Sequence, residues 1–506
     1  MLFAGIVRKM SNLPELFKYK TEPFAHQKVA LEMSWYRKSF ALFMDMGTGK
    51  TKLAIDTACA LYLDNKIDLF LVEASSDLLD QWKNDELPIH CSCNYAIVRY
   101  KSIGRRGKKY LASLKQFQSA KDCIKIILVT HDIFTSPGVA EEMKAIMKKY
   151  RTLWVIDESV YIKNHNSKRS EQIHKLSDYA AYKRIMTGTP ISQSILDLWS
   201  QFRFLDTRII GYSSFFAFRA RYANLKKGCM TIQTTDNKTG EQTNKIINYQ
   251  KFVSTKNKEE LMAKIRDYCY KISIEQCMSM PQKISLKRYV PLEKDQLRLY
   301  KEVLDRVRIE ISSGEKVDIV HKAARIMKLQ QVVCGFLLYK DEETDENRIH
   351  VVDSNRANIC VNIANEVDSP VVIYHRFKYD RLKLINTFKE NNITYTLEPE
   401  EFKTGKFKIF IGQIDSKAEG LNFQIASVMI FYSNSFRANK RWQAERRIYR
   451  AGQKKKCLLI DLVSAGTIDE RIIANLDSKK DMAAVIDDLE QYVMESNTLD
   501  EDDFDE

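Results

Sequence analysis

The chain has 506 residues, 44% hydrophobic and 29% charged, with a formal net charge of +14. That length exceeds one ordinary domain and predicts two to four, each with its own core. No run is long and apolar enough to span a bilayer, no secretory leader is evident at the N-terminus, and the ten cysteines are scattered, arguing against a membrane protein or a disulfide scaffold.

A cytoplasmic compartment is expected, or a nuclear one in a eukaryote, with reduced thiols. The charge is uneven: Glu495 to Glu506 holds seven acidic residues and no basic one, so the rest stands near +21. An excess of Lys and Arg favours a polyanionic partner through counterion release, with nucleic acid ahead of a membrane surface. The acidic end is expected to be a solubilising tail, and folding back on a basic cleft is the alternative.

In chain order, Phe24-Ala-His-Gln27 places a glutamine amide about twenty residues before a glycine-rich loop, where it could pair with an adenine edge. Apolar runs at Phe40 to Met44, Asp68 to Ala74, Lys125 to Thr130, Thr152 to Asp157 and Arg184 to Thr189 predict buried parallel strands. Amphipathic helices fit the intervals, such as Lys50 to Tyr62 and Leu78 to Glu86. Gly47, Thr48, Gly49, Lys50 and Thr51 follow the first strand and open a helix, the context of a phosphate-binding loop. Its backbone N–H groups would converge on phosphates, Lys50 would neutralise β and γ oxygens, and the Thr51 hydroxyl would help hold Mg²⁺.

The strand ending Trp154-Val-Ile-Asp-Glu158 delivers two carboxylates about one hundred residues later. Asp157 suits Mg²⁺ coordination through water, and Glu158 suits orienting and deprotonating an attacking water. From about Asp206 to Arg356 the strand rhythm fades. Leu297, Tyr300, Leu304, Val307 and Ile311 recur at helical spacing, and the polar stretch Thr231 to Asn244 is expected to be a solvated loop or hairpin.

A second strand series, at Val371 to His375, Lys408 to Gln413, Val428 to Ser433 and Cys457 to Val463, predicts a second α/β domain. Near its end Gln443 precedes Arg447 and Arg450, three apart and expected on one helix face, where guanidinium groups could act on a γ-phosphate. A solvated basic helix is the plainer alternative, because Arg437 to Lys456 holds nine basic residues.

These blocks resemble, in order and spacing, the superfamily 2 helicase-like ATPases, and four details resemble their SWI/SNF branch. Asp157-Glu-Ser-Val-Tyr-Ile-Lys-Asn164 is similar to the family's DExH box with its Ile-Lys-Asn extension. Met186-Thr-Gly-Thr-Pro-Ile-Ser-Gln-Ser194, followed by Leu196 to Trp199, resembles the third motif. Leu78 to Glu86 resembles the Leu-x-Gln-Trp-x-x-Glu segment, and Arg450-Ala-Gly-Gln453 matches the closing Arg-x-Gly-Gln. Departures include Val160 for the box histidine, Ala74 for a usual proline, and a missing glycine in Ser416 to Phe423.

The resemblance implies two RecA-like lobes of α/β class with helical insertions between them. The implied layout is an ATP-binding lobe over 1–205, its helical protrusion over 206–285, a hinge and helical protrusion of the second lobe over 286–356, a second lobe over 357–485 and a C-terminal helix end with the acidic tail over 486–506. ATP and Mg²⁺ are the implied cofactors, with Gln27, Gly47, Thr48, Gly49, Lys50, Thr51 and Gln443 on the nucleotide. Thr51 and Asp157 would serve the metal. Lys50, Asp157, Glu158, Arg447 and Arg450 would serve hydrolysis, and Thr187, Thr189 and Gly420 would couple it to movement.

Expected contacts to the DNA backbone are Ser75, Thr130, His131, Lys163 and Asn164, all on loops at strand ends, supplemented by the basic stretches Lys101 to Lys109 and Lys454 to Lys456. The implied activity is DNA-dependent ATP hydrolysis driving travel on double-stranded or branched DNA, in repair, recombination or replication and alongside protein partners there. A strand-separating DNA or RNA helicase is the second alternative, and a nucleic-acid-binding scaffold without turnover the third. Nothing in the sequence sets the oligomeric state, and a monomer is compatible with it.

Overall fold

The computed structural model describes residues 12–102, 106–136, 138–191, 194–235, 242–277, 280–312, 319–341, 346–417, 422–450, 452–477 and 482–495. The chain divides into two compact units, Met1–Cys277 and Met278–Glu506.

The first unit carries strands β1 (Ser39–Met44), β2 (Leu69–Ala74), β3 (Tyr95–Arg99), β4 (Ile124–Thr130), β5 (Thr152–Asp157), β6 (Tyr182–Met186), β7 (Ala223–Thr235), β8 (Gln242–Thr255) and β9 (Cys269–Ile272). Seven of them form one sheet in the order β3-β4-β2-β5-β6-β1-β9, and every pairing in it is parallel. Parallel strands need crossover helices, which cover both faces and bury both sets of alternating side chains. The sequence shows this directly. Ala41, Phe43, Leu69, Leu71, Trp154 and Ile156 enter one core, while Phe40, Leu42, Phe70, Val72, Leu153 and Val155 enter the other.

Buried Arg184 ties the helix Ala25–Ser34 to this sheet, donating to the carbonyls of Ser34 at 2.6 Å and Trp35 at 3.2 Å. Burial pulls its guanidinium down to about 9. β7 and β8 form a separate antiparallel hairpin, flanking the polar stretch expected to be a loop or hairpin. The expected strand Arg184 to Thr189 ends earlier, at Met186, so Thr187 and Thr189 lie in the following turn.

The second unit carries β10 (Lys283–Tyr289), β11 (Phe336–Lys340), β12 (Asn347–Val351), β13 (Val371–His375), β14 (Tyr395–Thr396), β15 (Ile409–Gln413), β16 (Val428–Phe431) and β17 (Cys457–Val463). Its main sheet runs β10-β17-β16-β13-β15-β14 and is again wholly parallel, with β11 and β12 a separate antiparallel pair. The helix Lys294–Ser312 buries Tyr300, Leu304 and Val307, three of the residues whose spacing predicts it. They pack with Ile326, Leu329, Ile472 and Leu489 from the helices Ile319–Val333, Ile468–Asp477 and Met482–Glu495. Both units are therefore of the expected α/β class; the middle region expected to be mainly helical also carries the β7–β8 and β11–β12 pairs and β9, which joins the first sheet.

Candidate nucleotide site

In the first unit, β1 ends at Met44 and a tight turn leads into the helix Lys50–Leu63. Gly47 and Gly49 both hold the left-handed backbone, with φ of +80° and +79°. That geometry disfavours any side chain, and it turns successive N–H groups toward one point at a helix N-terminus. Lys50 Nζ donates to the loop's own carbonyls, Met44 O at 3.0 Å and Asp45 O at 3.2 Å, while Thr48 Oγ1 donates to Asp45 O at 2.7 Å. Thr51, half-buried, stands on the first turn.

Gln27 closes over this loop. Its Nε2 donates to Thr48 O at 3.3 Å and Gly49 O at 3.2 Å, and its Oε1 accepts from Phe24 N at 2.9 Å. His26 Nε2 donates to the same Thr48 carbonyl at 2.8 Å. A Cβ on Gly49 would lie 2.0 Å from Gln27 Nε2, so a side chain there would displace the Gln27 amide besides straining the backbone.

The carboxylates stand where β5 ends, Asp157 5% and Glu158 6% exposed. Trp82 Nε1 donates to Asp157 Oδ2 at 3.0 Å. Burial raises the Asp157 carboxyl above its usual range, opposed by the Lys50 charge and the Trp82 bond. Glu158 holds φ +55°, a left-handed setting uncommon for a residue with a side chain. Its Oε2 accepts from Thr187 Oγ1 at 3.0 Å, and Thr187 Oγ1 in turn accepts from Thr189 N at 3.1 Å. Between those threonines, a Cβ on Gly188 would sit 3.4 Å from Met46 N, so this turn lies against the glycine loop.

The first unit thus brings Gln27, Gly47, Thr48, Gly49, Lys50, Asp157, Glu158, Thr187 and Thr189 together. A glycine-lined helix start, a lysine whose hydrogen bonds among the described residues go to carbonyls, a hydroxyl and a desolvated carboxylate are a donor set that fits a triphosphate with a divalent cation.

In the second unit, the helix Ala438–Glu445 stops before the arginines that were expected on one of its faces. Arg447 and Arg450 instead occupy a turn: Arg447 is buried, its Nε donating to Gln443 O at 3.1 Å. Gln453 pins that turn, its Nε2 donating to Ala426 O at 2.9 Å and to Ile448 O at 3.2 Å. Gly452, at φ +89°, lets the chain reverse beside Gln424. Tertiary hydrogen bonds therefore override the helical spacing. Gln443 is buried, and its Oε1 has no hydrogen-bond partner among the described residues. Gly420 lies outside the described residues.

Of the expected DNA contacts, Ser75 follows β2, Thr130 ends β4, and Lys163 and the exposed Asn164 follow β5, all at C-terminal strand ends of the first sheet. His131 departs from the expectation. It is 4% exposed, its Nδ1 donates to the buried Glu73 at 3.0 Å and its ring stacks on Tyr161 at 4.5 Å, a placement suited to positioning and not to touching a phosphate. Trp154 Nε1 also donates to Glu73, at 3.2 Å.

A cavity of about 890 Å³ opens beside Thr130 and Ser76, lined by Lys83, Arg99, Lys101 and Lys109 and also by Asp80 and Asp132, with Arg99 paired to Asp80. Arg106, from the same basic stretch, is committed to Glu142 and Tyr100. Lys454, Lys455 and Lys456 are exposed. The partner of Trp82 is not legible in its motif, nor are the roles of Ser159 and Gln201, both fully buried. A signal for Gln201 exists: it falls in the apolar series Leu198, Phe202, Leu205 on a single helix face.

Residues 26–335, well over half of the chain, match the family model of the SNF2-related domain. The chain belongs to the SNF2-related family. It is similar to an uncharacterized ATP-dependent helicase of Mycoplasma genitalium, 24% identical over 87% of this chain and 39% of that protein. It is also similar to a Bacillus subtilis protein provisionally named an ATP-dependent helicase/translocase, 23% identical over 98% of this chain and 52% of that one. The chain therefore spans about two-fifths to half the length of these curated relatives. Among solved structures it is similar to the Sulfolobus solfataricus SWI2/SNF2 ATPase core in complex with dsDNA, with 21% identity, 96% of each chain covered and a TM-score of 0.41. Among the described residues no helix is long and apolar enough to cross a membrane.

Proposed function

We propose that the chain hydrolyses ATP and uses the cycle to travel along double-stranded DNA. The observation that carries this reading is the convergence of Lys50, Asp157, Glu158 and Thr187 on one glycine loop. In the proposed reaction a water oxygen bonds to the γ-phosphorus, the bond from that phosphorus to the bridging oxygen breaks, and the water proton passes to the Glu158 carboxylate. ADP and phosphate leave. Lys50 exchanges the carbonyls of Met44 and Asp45 for phosphate oxygens, and the loop N–H groups cradle the rest. Thr51 and Asp157 would hold Mg²⁺, which would supply charge neutralisation to the phosphates when bound. Gln27 lies beside the loop for the adenine edge. Gln443, Arg447 and Arg450 are assigned to the nucleotide from the second unit, the arginines to charge developing on the γ-phosphate. Thr187 and Thr189, with Gly420, pass the change in phosphate state to movement.

The DNA reading is supported by the basic excess, by the cavity beside Thr130 in which basic residues outnumber acidic ones, and by the hydroxyl, ammonium and amide groups of Ser75, Lys163 and Asn164 at strand ends. Duplex or branched DNA met during repair, recombination or replication is the proposed substrate, in a bacterial or virus-infected cytoplasm or a eukaryotic nucleus. Strand separation is the second reading, favoured by relatives that carry the name helicase.

A triplex-displacement assay beside a strand-displacement assay decides between them. Displacement of a third strand without unwinding supports the duplex motor, and unwinding supports the helicase. Absence of ATP turnover with every DNA tested overturns both.

A further inference from the structure

The helix Asp197–Leu205 sends Leu198, Phe202 and Leu205 into the core of the first unit, and Gln201 lies among them fully buried. A buried primary amide needs partners for one oxygen and two N–H groups. Gln201 has all three. Its Oε1 accepts from Ser159 Oγ at 2.7 Å, and its Nε2 donates to Pro190 O at 2.7 Å and to Asp197 O at 3.0 Å. Ser159, itself fully buried, is the residue directly after Glu158. Pro190 closes the turn that opens at Thr187, whose hydroxyl holds Glu158 Oε2. A closed circuit results, running from the Glu158 carboxylate through Thr187 and Pro190 to the Gln201 amide, then through Ser159 back to the Glu158 backbone.

We infer that Gln201 is a positioning residue for ATP hydrolysis: it locks the Thr187–Pro190 turn to the Ser159 side of Glu158 and so fixes the carboxylate that takes the water proton. This rests on the reading of Glu158 proposed above. The need for such a lock is local. Glu158 sits at φ +55°, which persists only where surroundings over-determine it. The Ser159 hydroxyl bond anchors the next residue, and an apolar side chain of equal size at position 201 would fill the space without making that anchor. A fully satisfied buried network of this kind rigidifies its members.

The test uses the full chain and three variants, Gln201→Met, Ser159→Ala and the pair together. The readouts are kcat and KM for ATP with duplex DNA, affinity for a fluorescent ATP analogue, and the thermal midpoint. Gln201→Met is expected to lower kcat about tenfold with KM and nucleotide affinity within about twofold, because a misplaced base costs turnover and not binding. Ser159→Ala is expected to lower kcat roughly threefold, and the pair to match Gln201→Met alone, since the Ser159 bond is already lost with the Gln201 amide. Ser159→Ala keeps the test open should Gln201→Met fail to fold. An unchanged kcat in a folded variant, losses that multiply in the pair, or parallel losses of kcat, affinity and folded fraction would overturn the inference alone. A parent chain that turns over no ATP overturns the proposed function and the inference with it.

Discussion

Trp82 Nε1 and Asp157 Oδ2 are joined by a 3.0 Å hydrogen bond between residues 75 positions apart. Trp82 lies in a π-helical turn, Trp82–Glu86, and its ring packs edge-on against Phe70 of β2 at 5.9 Å. The indole therefore orients the carboxylate from a rigid wall. Such outer partners of a metal-holding group typically change metal affinity ten- to a hundredfold. Trp82→Phe, which keeps the ring and loses the N–H, is expected to raise the Mg²⁺ concentration for half-maximal ATP turnover about tenfold. A Mg²⁺ titration of turnover checks this, and an unchanged midpoint would remove Trp82 from the metal's support.

Gly49 is constrained by backbone angle and by space together. Gly49→Ala is expected to weaken binding of a fluorescent ATP analogue more than tenfold, since the methyl meets Gln27 Nε2 at 2.0 Å on a backbone at φ +79°. Adding Gln27→Ala removes the collision but leaves the left-handed cost of about 1 kcal/mol. Partial recovery of the thermal midpoint in the double variant is the expected outcome, while affinity for the analogue stays low because the Gln27 amide is gone.

Arg450 belongs to the turn pinned by Gln453, and it is assigned to charge that develops during hydrolysis. Arg450→Ala is expected to cut kcat by about a hundredfold or more while nucleotide affinity falls only a few-fold. Equal losses of both, measured by steady-state turnover and direct titration, would assign it to folding of that turn.

His174 supplies a pH signature. Its ring is buried, stacks edge-on with Trp199 and donates to Ser200 O at 2.9 Å, and burial holds it down to about 4 from an ordinary value of 6.5. A depressed histidine adds stability that is present above about pH 6.5 and is lost as pH falls toward about 4, where the unfolded chain takes the proton first. Asp56 and Asp380, both pushed up to about 6 chiefly by burial, act in the opposite sense over part of that range. The contribution expected between about pH 7 and about pH 5, roughly 2 kcal/mol, is therefore read as the difference between the parent chain and His174→Gln in urea unfolding at those two pH values. Parallel pH curves for the two would refute it.

The centres of both sheets were legible because strands covered on two faces need continuous apolar runs, and β5, β13 and β17 begin and end where those runs do. The edges were not. β10 is exposed along most of its length and alternates Ile284 and Leu286 with Ser285 and Lys287, and β9 is only Cys269–Ile272, so neither carries the buried signature. The glycine loop and carboxylates were legible from residue type and order. What stayed hidden was set by partners distant in sequence: Glu73 draws His131 inward, Ala426 holds the Gln453 amide that bends the chain at Arg447 and Arg450, and Gln201 reaches Ser159 across 42 positions.

Glu158 sits on a backbone that suits glycine better than glutamate. Replacing it by glycine releases a left-handed strain of about 1 kcal/mol and also relieves a buried carboxylate, so Glu158→Gly is expected to melt no lower than the parent while losing turnover. Selection for folding alone would discard this glutamate early. Copies of the chain freed from their task should lose that side chain while the sheet around it stays intact.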